Sequence, residues 1–362
     1  MKLVVNNTLK PFVNNPELYN PFLEEIVSRI DKVHKRLEQL NDIEEVYRAQ
    51  GEIRMLRAML RLRDDINGIT IIDTGLFCSS CIDHWRNILR NDFNGKDINR
   101  VIVTHHHPDH MGLMGWFKEN FNIEIWTSRS SWLTGRMLTL DNNKVMSQES
   151  LNFWLSAGMP SAVIEKKRLE KPFNFGDFVK KIPLGYRRVI DNEVLTIGNK
   201  KWIVRLTDGH APEQLILYCP ELKIFISSDQ ILPGISPNIS VYPTEPNANP
   251  LAEYFESCEK LVKIKDSDYL VLPGHNLPFY GLNSRIKQLI DHHETALKRI
   301  EEYIDKNPKS AFDIFPVLFK RKINEPEMVL ALGEAVAHLN YLLNCGIIKR
   351  EVSDEGVNLF VK

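Results

Sequence analysis

The segment Thr104-His105-His106-His107-Pro108-Asp109-His110, directly after the apolar run Val101-Ile102-Val103, constrains this chain more than any other. Four imidazoles and a carboxylate within six residues read as a metal site, because these are the donor groups that hold divalent ions. If the apolar run is a strand ending at Thr104, alternation puts His105 and His107 on the same side. Pro108 then breaks the strand, so that Asp109 and His110 swing in from the following turn. Two adjacent metal ions are the natural reading.

Other segments repeat the pattern of a strand ending on a ligand-type side chain. Short β-branched runs are predicted at Ile69 to Ile72, Arg100 to Thr104, Ile123 to Thr127, Trp202 to Thr207, Leu215 to Tyr218, Lys223 to Ser227 and Tyr269 to Leu272. Asp73 closes the first, His105 follows the second, Asp208-Gly209-His210 the fourth, Ser228-Asp229 the sixth and Pro273-Gly274-His275 the seventh. Taken singly, each has a plain structural explanation as a turn residue, a satisfied loop histidine or a helix cap. Together they describe a sheet that delivers carboxylates and imidazoles to one edge.

Outside that region the chain is helical. From Pro16 to about Asp64 it is highly charged, with a stripe at Leu23, Ile26, Ile30, Val33, Leu37 and Leu40, and a second at Val46, Ile53, Leu56, Met59 and Leu60. Two antiparallel helices joined near Asn41-Asp42 are expected. After Arg285, helices are expected at Ile286 to Ile300, Phe312 to Phe319 and Pro326 to Asn344, followed by a hairpin of Ile347 to Glu351 with Val357 to Val361. Three helices and a hairpin is the order of a winged helix. The divisions are a helical hairpin over 1–65, a central α/β domain over 66–282 and a winged-helix-like domain over 283–362.

These motifs resemble the metallo-β-lactamase-fold hydrolase superfamily. Its H-x-H-x-D-H signature falls on His105, His107, Asp109 and His110, its next histidine on His210, its bridging aspartate on Asp229 and its last histidine on His275. The resemblance implies a four-layer αββα sandwich. It also implies that one metal is held by His105, His107 and His210, the other by Asp109, His110 and His275, with Asp229 between them and Asp73 behind the ligands. Asp208-Gly209-His210-Ala211-Pro212-Glu213 and Ile235-Ser236-Pro237-Asn238 are similar to the branch that includes the lactamase-beta-like proteins and carries a C-terminal winged-helix-like domain. In that branch the extra domain borders the active-site cleft or an oligomer interface, so a homodimer is compatible with it. Relatives open with a β-hairpin leading into Asp73-Thr74-Gly75, whereas the stretch before Gly68 here is a helical stripe and reads as a fusion.

The chemistry follows from the donor set. Imidazole and carboxylate suit two zinc ions, although the same set accepts iron or manganese. Hydroxide shared by two such ions is a nucleophile near neutral pH, so no serine or cysteine nucleophile is required, and Asp109 is the candidate catalytic residue that orients it. Cys78-Ser79-Ser80-Cys81 has no second pair and is not taken as a metal or redox site. His106 is out of phase with its neighbours and is read as structural.

The superfamily's substrates include lactams, thioesters, lactones and phosphodiesters, so the loops decide. Candidate substrate contacts are Tyr186, beside Arg129 and Arg136, and Asn238. The leading expectation is hydrolysis of a small ester, thioester or lactone; the alternatives are a (ribo)nuclease and a non-catalytic metal-binding protein. Charge speaks against nucleic acid, since 46 basic and 47 acidic residues give a net charge of −1 overall, and residues 285–362 carry 12 of each. A non-catalytic protein would be expected to lack ligands, and all seven positions are filled. No apolar segment approaches membrane-spanning length, and five cysteines in a long chain fit a reducing compartment, so a cytoplasmic location is expected.

Overall fold

The computed structural model describes residues 68–362 except 92, 94–96, 265–268 and 320. The helical hairpin expected over 1–65 lies outside the described residues. Strands β1 (Ile69–Ile72), β2 (Ile98–Ile102), β3 (Glu124–Thr127) and β4 (Arg187–Arg188) form a wholly parallel sheet in that order. Helices α1 (Ser79–Asn91), α2 (Pro108–Met111), α3 (Met114–Phe121), α4 (Arg129–Leu138), α5 (Gln148–Ser156) and α6 (Ser161–Leu169) fill its connections. In the second sheet β5 (Val194–Ile197), β6 (Lys200–Thr207), β7 (Gln214–Cys219) and β8 (Ile224–Ser228) are successive antiparallel neighbours. After α7 (Pro250–Val262), β9 (Leu270–Pro273) joins β8 in parallel.

The period-two side-chain pattern of these strands sets the layers. Ile69, Ile71, Val101, Val103 and Ile125 pack against Trp85 and Ile88 of α1 and Met114 and Phe117 of α3. Ile72 and Ile102, one residue out of phase, turn the other way and meet Leu195, Trp202, Val204, Leu215, Leu217, Ile226 and Leu272 of the second sheet. Ile216, Phe225 and Val271 face outward again, onto α7, α8 (Leu282–Ile304) and α10 (Met328–Asn344). Three apolar clusters separate four layers, which is the αββα sandwich expected from the sequence.

Two strands escape the sequence reading. β4 is two arginines, and β5 is a four-residue hairpin partner of β6 with alternate residues exposed. The C-terminal segment has the expected order of elements: α8, the short α9 (Phe315–Leu318), α10, then the antiparallel pair β10 (Lys349–Val352) and β11 (Asn358–Val361). The middle helix is shorter than Phe312 to Phe319, since Pro316 fixes its first turn and Phe319 is already extended. Buried Leu332, Ala335, Val336 and Leu339 of α10 place this segment on the outer face of the second sheet, within one core.

Strand direction explains where the chemistry gathers. β1, β2 and β3 are parallel, so Asp73, the histidine cluster and Ser128 leave the same edge of the first sheet. β6 and β8 both oppose β7, and β9 parallels β8, so His210, Asp229 and His275 leave one edge of the second. A backbone bond from Leu215 N to Thr104 O, 2.8 Å, joins the two sheets at that shared edge.

Candidate metal centre

The structure brings all seven ligand-type side chains together. The donor atoms of His105, His107 and His210 lie within 4.8 Å of one another, as do those of His105, His110 and Asp229, and those of Asp109, His110 and His275. Asp229 Oδ2 stands 3.0 Å from His275 Nε2, 3.3 Å from His110 Nε2 and 3.6 Å from His210 Nε2, so one carboxylate oxygen reaches both halves of the cluster. Asp109 is more distant, with 3.9 Å to His110 Nε2 and 3.8 Å to His275 Nε2.

Which ring nitrogen faces inward follows from what holds the other. His210 Nδ1 is 2.8 Å from the Asn238 carbonyl, which can only accept, so Nδ1 carries the proton and Nε2 keeps its lone pair. His110 Nδ1 donates to Asp73 Oδ2 at 2.8 Å, with the same consequence. Thr104 Oγ1 donates to that carboxylate at 2.9 Å and therefore accepts from His105 Nδ1 at 3.0 Å. Three imidazoles are thus locked with Nε2 presented to the centre, the arrangement that backs metal-binding histidines. His107 differs, offering Nδ1 at 3.0 Å from His105 Nε2.

The electrostatics favour cation binding. Burial pushes His105, His107 and His210 below the ordinary imidazole range, so they are held neutral. Burial alone would raise Asp229, yet His275 and His110 beside it hold its carboxyl well below the usual range, so it stays ionised. His210 Nε2 and Asp229 Oδ1 are buried with no hydrogen-bond partner among the described residues. Buried lone pairs left unused cost free energy, and a divalent ion among neutral imidazoles and ionised carboxylates satisfies them. The residues present fit a pair of metal ions.

Backbone strain concentrates at the same place. Asp73 (φ 60°), Ser228 (φ 46°) and Asn276 (φ 62°) are left-handed non-glycine residues beside the cluster. At Gly274 a Cβ would stand 1.8 Å from Asp229 Oδ1, so only glycine lets Asp229 approach β9.

The remaining candidates have definite positions. His106 is buried, belongs to none of the three donor groups, and burial pushes it down to about 3. Tyr186 stacks on Trp132 with centroids 4.8 Å apart, and the Arg136 guanidinium lies 5.4 Å from the Trp132 ring. Asn238 is engaged from both ends: its amide donates to Glu334 Oε2 at 3.1 Å and its side-chain oxygen accepts from Ser240 Oγ at 2.6 Å. Cys78 is outside the cluster; contact with the Cys81 thiol pulls it down to about 5. Sequence reasoning missed Thr104 and Ser228, whose hydroxyls meet at 2.8 Å behind His105. Their signal was available: each is a small hydroxyl residue immediately before a ligand-type residue.

Comparison with known proteins agrees with this geometry. Residues 60–275 match the metallo-β-lactamase superfamily, and residues 297–362 match the metallo-β-lactamase-like C-terminal domain. The chain belongs to the metallo-β-lactamase superfamily. A solved β-lactamase domain protein from Burkholderia ambifaria is 34% identical, with 83% of this chain and 86% of that one covered at a TM-score of 0.76. A metallo-β-lactamase family protein from Thermus thermophilus shares the fold at 24% identity and a TM-score of 0.68, covering 83% and 92%. An acyl-coenzyme A thioesterase of Gallus gallus is 26% identical over 211 residues, 57% of this chain and 67% of the relative.

Proposed function

We propose that this chain is a dinuclear metallo-hydrolase acting on a small ester, thioester or lactone. The observation that carries this reading is the convergence of seven donor side chains from both sheets, three of them imidazoles with Nδ1 already anchored. His105, His107 and His210 would hold one ion, Asp109, His110 and His275 the other, and Asp229 both. Zinc is the first choice on donor chemistry, with iron or manganese accepted by the same set. Such a pair supplies water of lowered pKa as nucleophile and polarises the carbonyl oxygen under attack.

The chain's own residues do the rest. Asp109, least tightly packed of the carboxylates in the cluster, accepts a hydrogen bond from the attacking water and orients it. Asp73 keeps His110 in its productive tautomer. In this reading Tyr186, stacked on Trp132, and the loop bearing Asn238 are the candidate substrate contacts. The thioesterase name of the Gallus gallus relative supports a thioester among the candidates. We read residues 283–362 as a winged-helix-like domain. Among the described residues no helix is long and apolar enough to cross a membrane. Five cysteines in a long chain favour a reducing compartment, so a cytoplasmic enzyme, and a homodimer, belong to this proposal.

A panel of thioester, ester, lactone and phosphodiester substrates tests the reading on metal-loaded protein. Carbonyl substrates alone should turn over. Cleavage of phosphodiesters alone would establish the nuclease alternative, and two bound metals with no turnover at all would establish a binding protein.

A further inference from the structure

His210 is held by a backbone carbonyl from a loop, and the C-terminal helix α10 fixes that loop at several points. Val241 N donates to Gly333 O at 3.1 Å, and Ser240 Oγ lies 3.4 Å from Leu330 O. Asn340 Nδ2 reaches back to Pro246 O and Ala248 O at 3.1 and 2.9 Å. Helix and loop touch so closely that a Cβ on Gly333 would meet Val241 O at 2.9 Å. Within this seam a carboxyl side chain of α10 reaches the residue that anchors the ligand. Glu334 Oε2 accepts from Asn238 Nδ2 at 3.1 Å, and the Asn238 carbonyl accepts from His210 Nδ1 at 2.8 Å.

The backbone at Glu334 is tied to a buried histidine pair. Its carbonyl accepts from His338 Nδ1 at 2.8 Å, and His338 Nε2 stands 3.2 Å from His293 Nδ1 on α8. Both rings are fully buried. Because His338 Nδ1 must carry its proton, Nε2 accepts, and His293 donates. Separate contacts therefore tie α8 to the Glu334 backbone, the Glu334 carboxyl to the Asn238 amide, and the Asn238 carbonyl to His210.

We propose that Glu334 is a positioning residue for His210: by holding the Asn238 side chain it fixes the carbonyl that sets the tautomer and aim of that ligand. The C-terminal segment thereby takes part in building the metal centre, as well as covering the sheet. This inference rests on the reading of His210 as a ligand. Burial pushes the Glu334 carboxyl up to about 7, and the bond to Asn238 survives in either form because a carbonyl-type oxygen remains to accept the amide proton. A glutamine at 334 offers the same acceptor.

The test is metal affinity by chelator competition on full-length protein, with thermal unfolding of the metal-free form measured in parallel. Glu334→Ala should weaken the ion bound through His210 about tenfold, the lower end of what loss of an outer partner does. Glu334→Gln should restore affinity to within about twofold of wild type. Asn238→Ala should match Glu334→Ala, and the double variant should lose no more than either alone, as expected when both act through one contact. Unchanged affinity in Glu334→Ala, equal loss in Glu334→Gln, or additive losses in the double variant would each overturn the proposal. Wild-type protein that takes up no metal would instead sink the functional reading on which it rests.

Discussion

Asp73→Asn isolates the support behind His110. Asp73 accepts three hydrogen bonds: from Thr104 N at 2.7 Å, from Thr104 Oγ1 at 2.9 Å and from His110 Nδ1 at 2.8 Å. Asparagine tolerates the φ of 60° at this position, so the backbone is not strained by the change. The amide oxygen can keep the Thr104 N–H, but an NH2 group then faces His110 Nδ1, which must give up its proton and move it to Nε2. The lone pair aimed at Asp229 and His275 is lost in that tautomer. Losing an outer partner of this kind weakens metal binding about 10- to 100-fold, which is about 1.4 to 2.7 kcal/mol. The metal-free protein should also lose about 2 kcal/mol, the value of a charge-assisted bond at a side chain only 11% exposed. Chelator competition should show the ion held by Asp109, His110 and His275 weakened more than the other. Wild-type affinity at both sites in Asp73→Asn would refute the argument.

Three further outcomes follow from the structure. Gly274→Ala should displace the Asp229 carboxylate, since the new Cβ would stand 1.8 Å from Oδ1, and metal content measured by mass spectrometry should fall below one ion per chain; retention of both ions would contradict this. Burial holds His338 down at about 4, against an ordinary 6.5 for the exposed ring. The unfolded chain takes up a proton that the folded chain refuses between those values, so this stability is present above pH 6.5 and is lost as pH falls toward 4. It amounts to on the order of 3 kcal/mol, and His338→Gln should flatten the slope of metal-free unfolding free energy over that window; an unchanged slope would refute it. Deleting residues 1–60 should leave metal binding intact, and loss of metal from soluble, folded deletion protein would contradict that expectation.

How much was legible in the sequence depends on whether the signal was local. His105, His107, Asp109 and His110 lie within one strand end and turn, so alternation and Pro108 placed them without knowledge of the fold. His210, Asp229 and His275 were marked by a shared habit of following apolar strands, which parallel direction in each sheet converts into a shared edge. The layers were legible for the same reason, since residues such as Val101 and Ile102 alternate between two cores. β4 left no trace because two arginines carry no hydrophobic pattern. Glu334 was invisible too: 96 residues separate it from Asn238, and nothing around it in α10 distinguishes it from a solvated helix position. Tautomers likewise belong to tertiary contacts, because the acceptors that lock His105, His110 and His210 come from other segments or from a neighbouring hydroxyl.

The central claim is that these seven side chains hold two ions that make hydrolysis possible. Metal content and turnover of a thioester and an ester, measured together on wild type and Asp109→Ala, test it most directly. Two equivalents with turnover are expected in wild type, and in Asp109→Ala a fall toward one equivalent with turnover down at least ~100-fold, on the order expected when a group that positions the nucleophile is removed. Full turnover by chelator-treated protein, or full metal content and activity in Asp109→Ala, would contradict it.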